Sequence, residues 1–220
     1  MAILLNIDTA LETASVCLSD NSKSLALSVN ENQKDHAAWL HPAIRNLLHD
    51  QGLHVGDLSA IAISIGPGSY TGLRIGLSAA KGLCYALNIP LIAVGTLEMI
   101  AHGAREIDTD FICPLIDARR MEVYAAVYNK SLQEIVRPAA INLSENSFFS
   151  LLLTHKIAFC GSGHNKLQTS LCHDNAIFID SRATAADLAQ LAFKKWENKS
   201  FANLAYTEPF YIKEFFTQHQ

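Results

Sequence analysis

Gly66, Gly68, Gly72, Gly76 and Gly82 all fall in "ISIGPGSYTGLRIGLSAAKGLCYALN", residues 63–88 of a 220-residue chain. An apolar run enters a glycine turn there and a helical pattern leaves it, an arrangement that can cradle phosphate on backbone N–H donors. The spacing fits neither phosphate loop. A Walker A loop needs G-x-x-x-x-G-K-[ST]; the fifth residue after Gly66 is Thr71 and after Gly68 is Leu73, and neither precedes Lys-Ser or Lys-Thr. A dinucleotide fingerprint needs G-x-G-x-x-G or a final alanine, and Thr71 in the third place is too bulky for the helix–strand contact made there. Glu98 lies where a ribose-binding acid would fall, so a dinucleotide-binding oxidoreductase stays an alternative.

Other candidate chemistry is sparse. His36 and His41 are five residues apart, about 140° around a helix, whereas a helical metal pair is i, i+4. They read as two partly exposed histidines, not as ligands. Ser69 and the histidines form no legible triad, because a triad is spatial and not sequential. The five cysteines are odd in number and lack C-x-x-C spacing, which excludes a zinc ribbon or a disulfide framework. Cys17, Cys84, Cys113 and Cys160 sit in apolar surroundings and read as buried reduced thiols, which suits the cytoplasm. A net charge of −4 with scattered Lys and Arg is not the footprint of a protein that grips nucleic acid alone. Neither a membrane span nor a secretory signal is expected.

The elements that must position these residues alternate between strand and helix. "AILLNIDTALETASVCLSD" reads as strand, turn, strand, and "FICPLIDARRMEVYAAVYNK" repeats the pattern about half a chain later. Asp8 and Asp117 end the leading strand of each unit. This points to an internal duplication, the alternative being two unrelated hairpins. Residues 34–50 carry a helical apolar stripe with Pro42 set to kink it or mark its first turn. Residues 59–65 read as a central strand and 71–87 as a second helix, and "TAADLAQLAFKKW" has Thr184 and Asp187 spaced as a capping box. The alternation predicts an α/β fold, with lobes at 1–106 and 107–220 and the last helix free to pack back on the first lobe.

In helix 71–87, Gly72, Gly76, Ala79, Ala80 and Leu83 lie on adjacent rows and make one face nearly flat. A mid-helix glycine costs about 1 kcal/mol relative to alanine. The flat face admits a close neighbour, either the protein's own sheet or another subunit.

The stretch "IGPGSYTGLRIGLSAAKGL", with "LLNIDTALETASVCL", "DHAAWLHPAI", "LIDARRMEVYAAVY", "CGSGH" and "EPFYIK" in that order, resembles the TsaB (YeaZ) family over most of the chain. The last motif departs from the family's P-x-Y-[LI]-R in having Lys213 for arginine. The resemblance implies a duplicated actin/sugar-kinase/Hsp70-like fold of two lobes. It also implies a scaffold that is not itself an enzyme, required for threonylcarbamoyl transfer to adenosine 37 of tRNAs reading ANN codons. Its implied partners are TsaD, the catalytic paralogue, then TsaE, and tRNA through the complex; alone, the same surface should self-associate into a homodimer.

The expected interface is the helix pair 34–50 and 71–87: Gly72, Gly76 and Ala79 for close approach, Leu40, Ile44, Leu73 and Leu83 for apolar area, His36, Trp39 and Arg74 as rim or anchor contacts. On this reading a leucine at Gly76 blocks docking but leaves the fold intact. TsaD-type catalysts hold metal through H-x-E-x-H; aligned on Glu98, Thr96 and Ile100 occupy the ligand positions, and His102 is out of register. No metal and no cofactor of its own are expected, ATP and metal belonging to the partners. Asp8, Asp117, Arg119 and Arg120 are the nucleotide-proximal candidates; the arginines either meet a phosphate or pair with Glu122 or Asp117. A stand-alone ATP-dependent transferase or metallopeptidase of the same fold is the alternative function.

Overall fold

The computed structural model describes residues 2–32, 35–143 and 148–213. The first half runs β1 (Ile3–Asp8), β2 (Ala14–Asp20), β3 (Lys23–Asn30), α1 (His36–Asp50), β4 (Leu58–Ser64), α2 (Tyr70–Leu87), β5 (Leu91–Val94) and α3 (Thr96–Gly103). The second runs β6 (Phe111–Asp117), β7 (Glu122–Asn129), β8 (Glu134–Asn142), α4 (Phe149–Leu152), β9 (Ile157–Cys160), α5 (His164–Gln168), β10 (Ala176–Ile179) and α6 (Ala185–Glu197).

Each half builds a five-stranded sheet on one plan. The orders are β3-β2-β1-β4-β5 and, read in the same sense, β8-β7-β6-β9-β10. In both, the leading strand pairs antiparallel with the second and parallel with the fourth. Helices follow the third, fourth and fifth strands in both halves. The duplication read from Asp8 and Asp117 is therefore present in the topology, each residue closing its hairpin's leading strand. β1 is buried along its whole length, which is why its sequence is an apolar run and not an alternation.

The third helix of each half joins the lobes. Leu97 and Ile100 of α3 and Leu188 and Leu191 of α6 share one core with Leu4 and Ile92 of the first sheet and Ile112 and Ala126 of the second. α3 packs on β6 and β7, whereas α6 packs on the first sheet, so each lobe lends its last helix across the middle. The α6 start is fixed twice. The Ala185 N–H donates to Ser15 Oγ at 2.8 Å, and the Thr184 N–H donates to Asp187 Oδ2 at 2.8 Å in the expected capping box. α1 contains Pro42 without ending there, with the proline on the exposed side. Cys17, Cys84, Cys113 and Cys160 are buried free thiols, and burial pushes Cys160 up to about 12.

Asp8 carries a measurable consequence. Its carboxylate is fully buried; Oδ1 accepts from Ser64 Oγ and from the Ala10 N–H (3.1 Å), while Oδ2 has no partner. Burial pushes this carboxyl up to about 6, against the pull of the Ser64 and Ala10 hydrogen bonds. An unfolded aspartate titrates near 3.9, so the folded protein holds the proton more tightly. The group's contribution is fully present below pH ~4 and is lost as pH rises through ~6. That two-unit difference is worth about 3 kcal/mol. Urea midpoints at pH 4 to 8 are expected to show this decline in the wild type and a flatter profile in Asp8→Asn.

Candidate docking groove and interlobe cleft

α2 begins where the glycine turn ends. Ser69 caps it, its Oγ accepting from the Gly72 N–H at 3.2 Å. Gly66 sits at a φ of 122°, and a Cβ there would meet the Phe210 carbonyl oxygen at 2.4 Å. A Cβ on Gly68 would meet the Ala10 carbonyl oxygen at 2.3 Å. These two glycines let the turn pack against the first hairpin and the C-terminal segment.

Gly72 and Gly76 do not face outward, which corrects the expectation that they clear a partner's path. A Cβ at Gly72 would lie 2.0 Å from the Thr9 carbonyl oxygen, and one at Gly76 2.2 Å from Thr9 Oγ1. Thr9 Oγ1 donates to the Gly72 carbonyl at 2.7 Å. The glycines thus let α2 close on the protein's own β1 end. Leu40, Ile44 and Leu73 are core residues, at most 4 % exposed. His36 is also buried, its Nδ1 3.4 Å from Asn30 Nδ2, so it is neither partly exposed nor a rim contact. Trp39 is half-buried against the same core. Arg74 is exposed but occupied, its guanidinium 4.0 Å over the Tyr70 ring and its Nε donating to the Tyr211 hydroxyl at 3.1 Å.

The open face lies one residue around the helix. Ile75, Ala79, Gly82 and Leu83 of α2 and Ala37, Leu40 and His41 of α1 enclose an outward-facing groove of about 460 Å³. Gly82 is exposed and a Cβ there would meet nothing within 4 Å. Of the residues expected at the interface, Leu40, Ala79 and Leu83 line this groove, and Ala37, Ile75 and Gly82, not named from the sequence, line it with them. The signal that would have found them is the i, i+4, i+7 row 75–79–82.

A larger cleft of about 840 Å³ separates the hairpin ends of the two lobes. Its walls are Leu11 and Glu12, the α2 start, Asp117 to Arg120, Lys166 and the segment Phe210–Lys213. Asp117 and both arginines reach it; Asp8 does not, being wholly buried behind it. Asp117 Oδ1 takes Lys166 Nζ at 2.5 Å and the Arg119 N–H at 2.6 Å. Glu122 pairs with Lys213. Among the described residues no ion pair joins Arg119 or Arg120 to either carboxylate, which corrects the pairing expected for them. Lys213, standing where the resemblance led to an arginine, bridges the tail to the second lobe. Of the two residues that the sequence comparison set against a metal pair, Thr96 accepts the Gly66 N–H on its Oγ1 at 3.0 Å and Ile100 is in the core.

Two copies of one sheet plan, facing across exchanged third helices, define the duplicated actin/sugar-kinase/Hsp70-like class. An ADPNP-bound activator of 2-hydroxyisocaproyl-CoA dehydratase from Clostridium difficile shares the fold at a TM-score of 0.50 over 91 % of this chain and 98 % of its own, at 10 % identity. The family model described as TsaD, tRNA N6-adenosine threonylcarbamoyltransferase, matches residues 28–213. The Bacillus subtilis (strain 168) protein named tRNA threonylcarbamoyladenosine biosynthesis protein TsaB is 37 % identical over 145 residues, 64 % of this chain and 63 % of its own length. The Haemophilus influenzae protein of the same name is 27 % identical over 96 % of this chain and 93 % of its own. The YeaZ structure from Pseudomonas aeruginosa superposes with a TM-score of 0.80 at 26 % identity, covering 96 % of this chain and all of that one. The chain belongs to the TsaB (YeaZ) family. No helix among the described residues is long and apolar enough to cross a membrane.

Proposed function

We propose that this chain is a non-catalytic scaffold in the formation of threonylcarbamoyladenosine at position 37 of tRNA, docking on a TsaD-type transferase through the α1/α2 groove. The relatives' names support the pathway. The observation that carries the docking role is the groove itself: an apolar, outward-facing channel whose floor is kept low by Ala79 and Gly82. A helix of a partner can settle there with its backbone close, in the way small residues permit between packed helices. The heterodimer would then present the joint surface that recruits a TsaE-type ATPase and tRNA, in the cytoplasm. Without the transferase, the same groove is the surface for a homodimer.

A nucleotide cofactor of the chain's own is not part of this function. The cleft's residues suit a magnesium–triphosphate poorly. Gly68 is pressed on Ala10, the Asp8 carboxylate is sealed behind the cleft, and Asp117 is already neutralised by Lys166. Reconstituted tRNA modification is expected to fall at least tenfold when this chain is left out, and an unchanged rate would contradict the proposal.

A further inference from the structure

We infer that the interlobe cleft binds a single-stranded segment of the tRNA substrate, with Arg119 and Arg120 on its phosphodiesters. The inference rests on the proposed function and adds a direct RNA contact to it. Four cationic side chains, Arg119, Arg120, Lys166 and Lys213, line the cleft against the carboxylates of Glu12 and Asp117. Lys166 is held by Asp117 and Lys213 by Glu122. Among the described residues, no carboxylate lies within ion-pair distance of Arg119 or Arg120. Both guanidinium groups are thus left to the cleft mouth, on exposed residues.

Their backbone is unusual as well. Arg119 and Arg120 hold φ of 67° and 49°, two successive left-handed residues at a hairpin tip. Side chains other than glycine, asparagine and aspartate rarely adopt this conformation, and where it persists it tends to mark a functional position. Asn-Gly would satisfy the same turn with less strain. The chain instead places there the side chain best matched to a phosphate oxygen pair.

The ligand's class follows from the rest of the wall. Mg²⁺ would need several convergent oxygen ligands; Asp117 is engaged by Lys166 and Glu122 by Lys213, which leaves Glu12 as the one cleft carboxylate without an ion pair among the described residues. A phosphodiester carries one negative charge and needs no metal. Tyr211, which is 36 % exposed and lies against the Tyr70 ring at 5.1 Å, and Tyr124, half-buried on the interlobe core, add aromatic surface to the cleft wall, beside which an unpaired base can lie. The overall charge of −4 means the contact is local and works only beside the partner subunits.

The test uses the full chain reconstituted with its TsaD-type and TsaE-type partners, and unmodified tRNA. Arg119→Asn/Arg120→Gly is expected to raise the melting temperature by about 4 °C by relieving strain. The same variant should raise KM for tRNA about tenfold with kcat little changed. It should also make the salt dependence of tRNA binding shallower by about one unit of log–log slope. Arg119→Gln/Arg120→Gln should share the tRNA defect without the gain in melting temperature. If modification depends on the chain but both variants keep wild-type KM and salt slope, this inference alone falls. A rise in KM for ATP in place of tRNA also overturns it, in favour of a free nucleotide. If modification does not depend on the chain at all, the proposed function falls and this inference with it.

Discussion

Gly76→Leu is expected to leave no soluble folded protein. The new Cβ would start 2.2 Å from Thr9 Oγ1 and 2.9 Å from Ile63 Cδ1, before three further carbons are placed. Thr9 cannot swing aside without breaking its hydrogen bond to the Gly72 carbonyl, and Ile63 is a fully buried residue of a central strand. Overpacking a close-packed core costs about 1–3 kcal/mol when neighbours can shift. Here a backbone-anchored neighbour and a buried strand must both move, so the cost should exceed about 4 kcal/mol, most of a typical domain's stability. Circular dichroism and solubility after expression read the outcome. A folded Gly76→Leu protein that merely fails to bind its partner would restore the outward-facing role that the structure denies to this glycine.

Gly82→Leu should do the reverse. The site is exposed, with nothing within 4 Å of an added Cβ, and leucine is the better helix former by roughly 0.8 kcal/mol. The variant is expected to fold with an unchanged or slightly raised melting temperature. The leucine would fill the groove floor between Ala79 and α1, where the partner's backbone has to come close. Affinity for the TsaD-type partner should drop at least 100-fold, about 2.7 kcal/mol. Titration calorimetry with wild-type and variant chains measures it. The two leucine variants lie six residues apart on one helix and should separate stability from docking cleanly.

That pair also shows where the sequence was readable and where it was not. The buried strand Ile3–Asp8, the extent of α2 and the Thr184–Asp187 cap were legible, since each is a local consequence of pattern or capping chemistry. The duplication was legible from two Ile-Asp strand ends. The outward face of α2 was not. The rows 72–76 and 75–79–82 differ by one residue, about 100° of helix, and both are rich in small side chains. Only the arrival of Thr9 from the first hairpin decides which row is covered. The packing of α3 on the second sheet was hidden for a similar reason, because an amphipathic stripe states that a face is buried and not against which sheet. The partners of Asp117 and Glu122, Lys166 and Lys213, lie 49 and 91 residues away in sequence, beyond any local pattern, and so the freedom of Arg119 and Arg120 could not be read.

The most direct test of the scaffold role is the rate of threonylcarbamoyladenosine formation on tRNA by purified TsaD-type and TsaE-type partners from the same organism, supplied with the threonylcarbamoyl donor. The expected result is a rate that rises at least tenfold when the wild-type chain is added and stays at the lower level with Gly82→Leu. A rate indifferent to the chain, or one restored equally by Gly82→Leu, would contradict a scaffold that works through the α1/α2 groove.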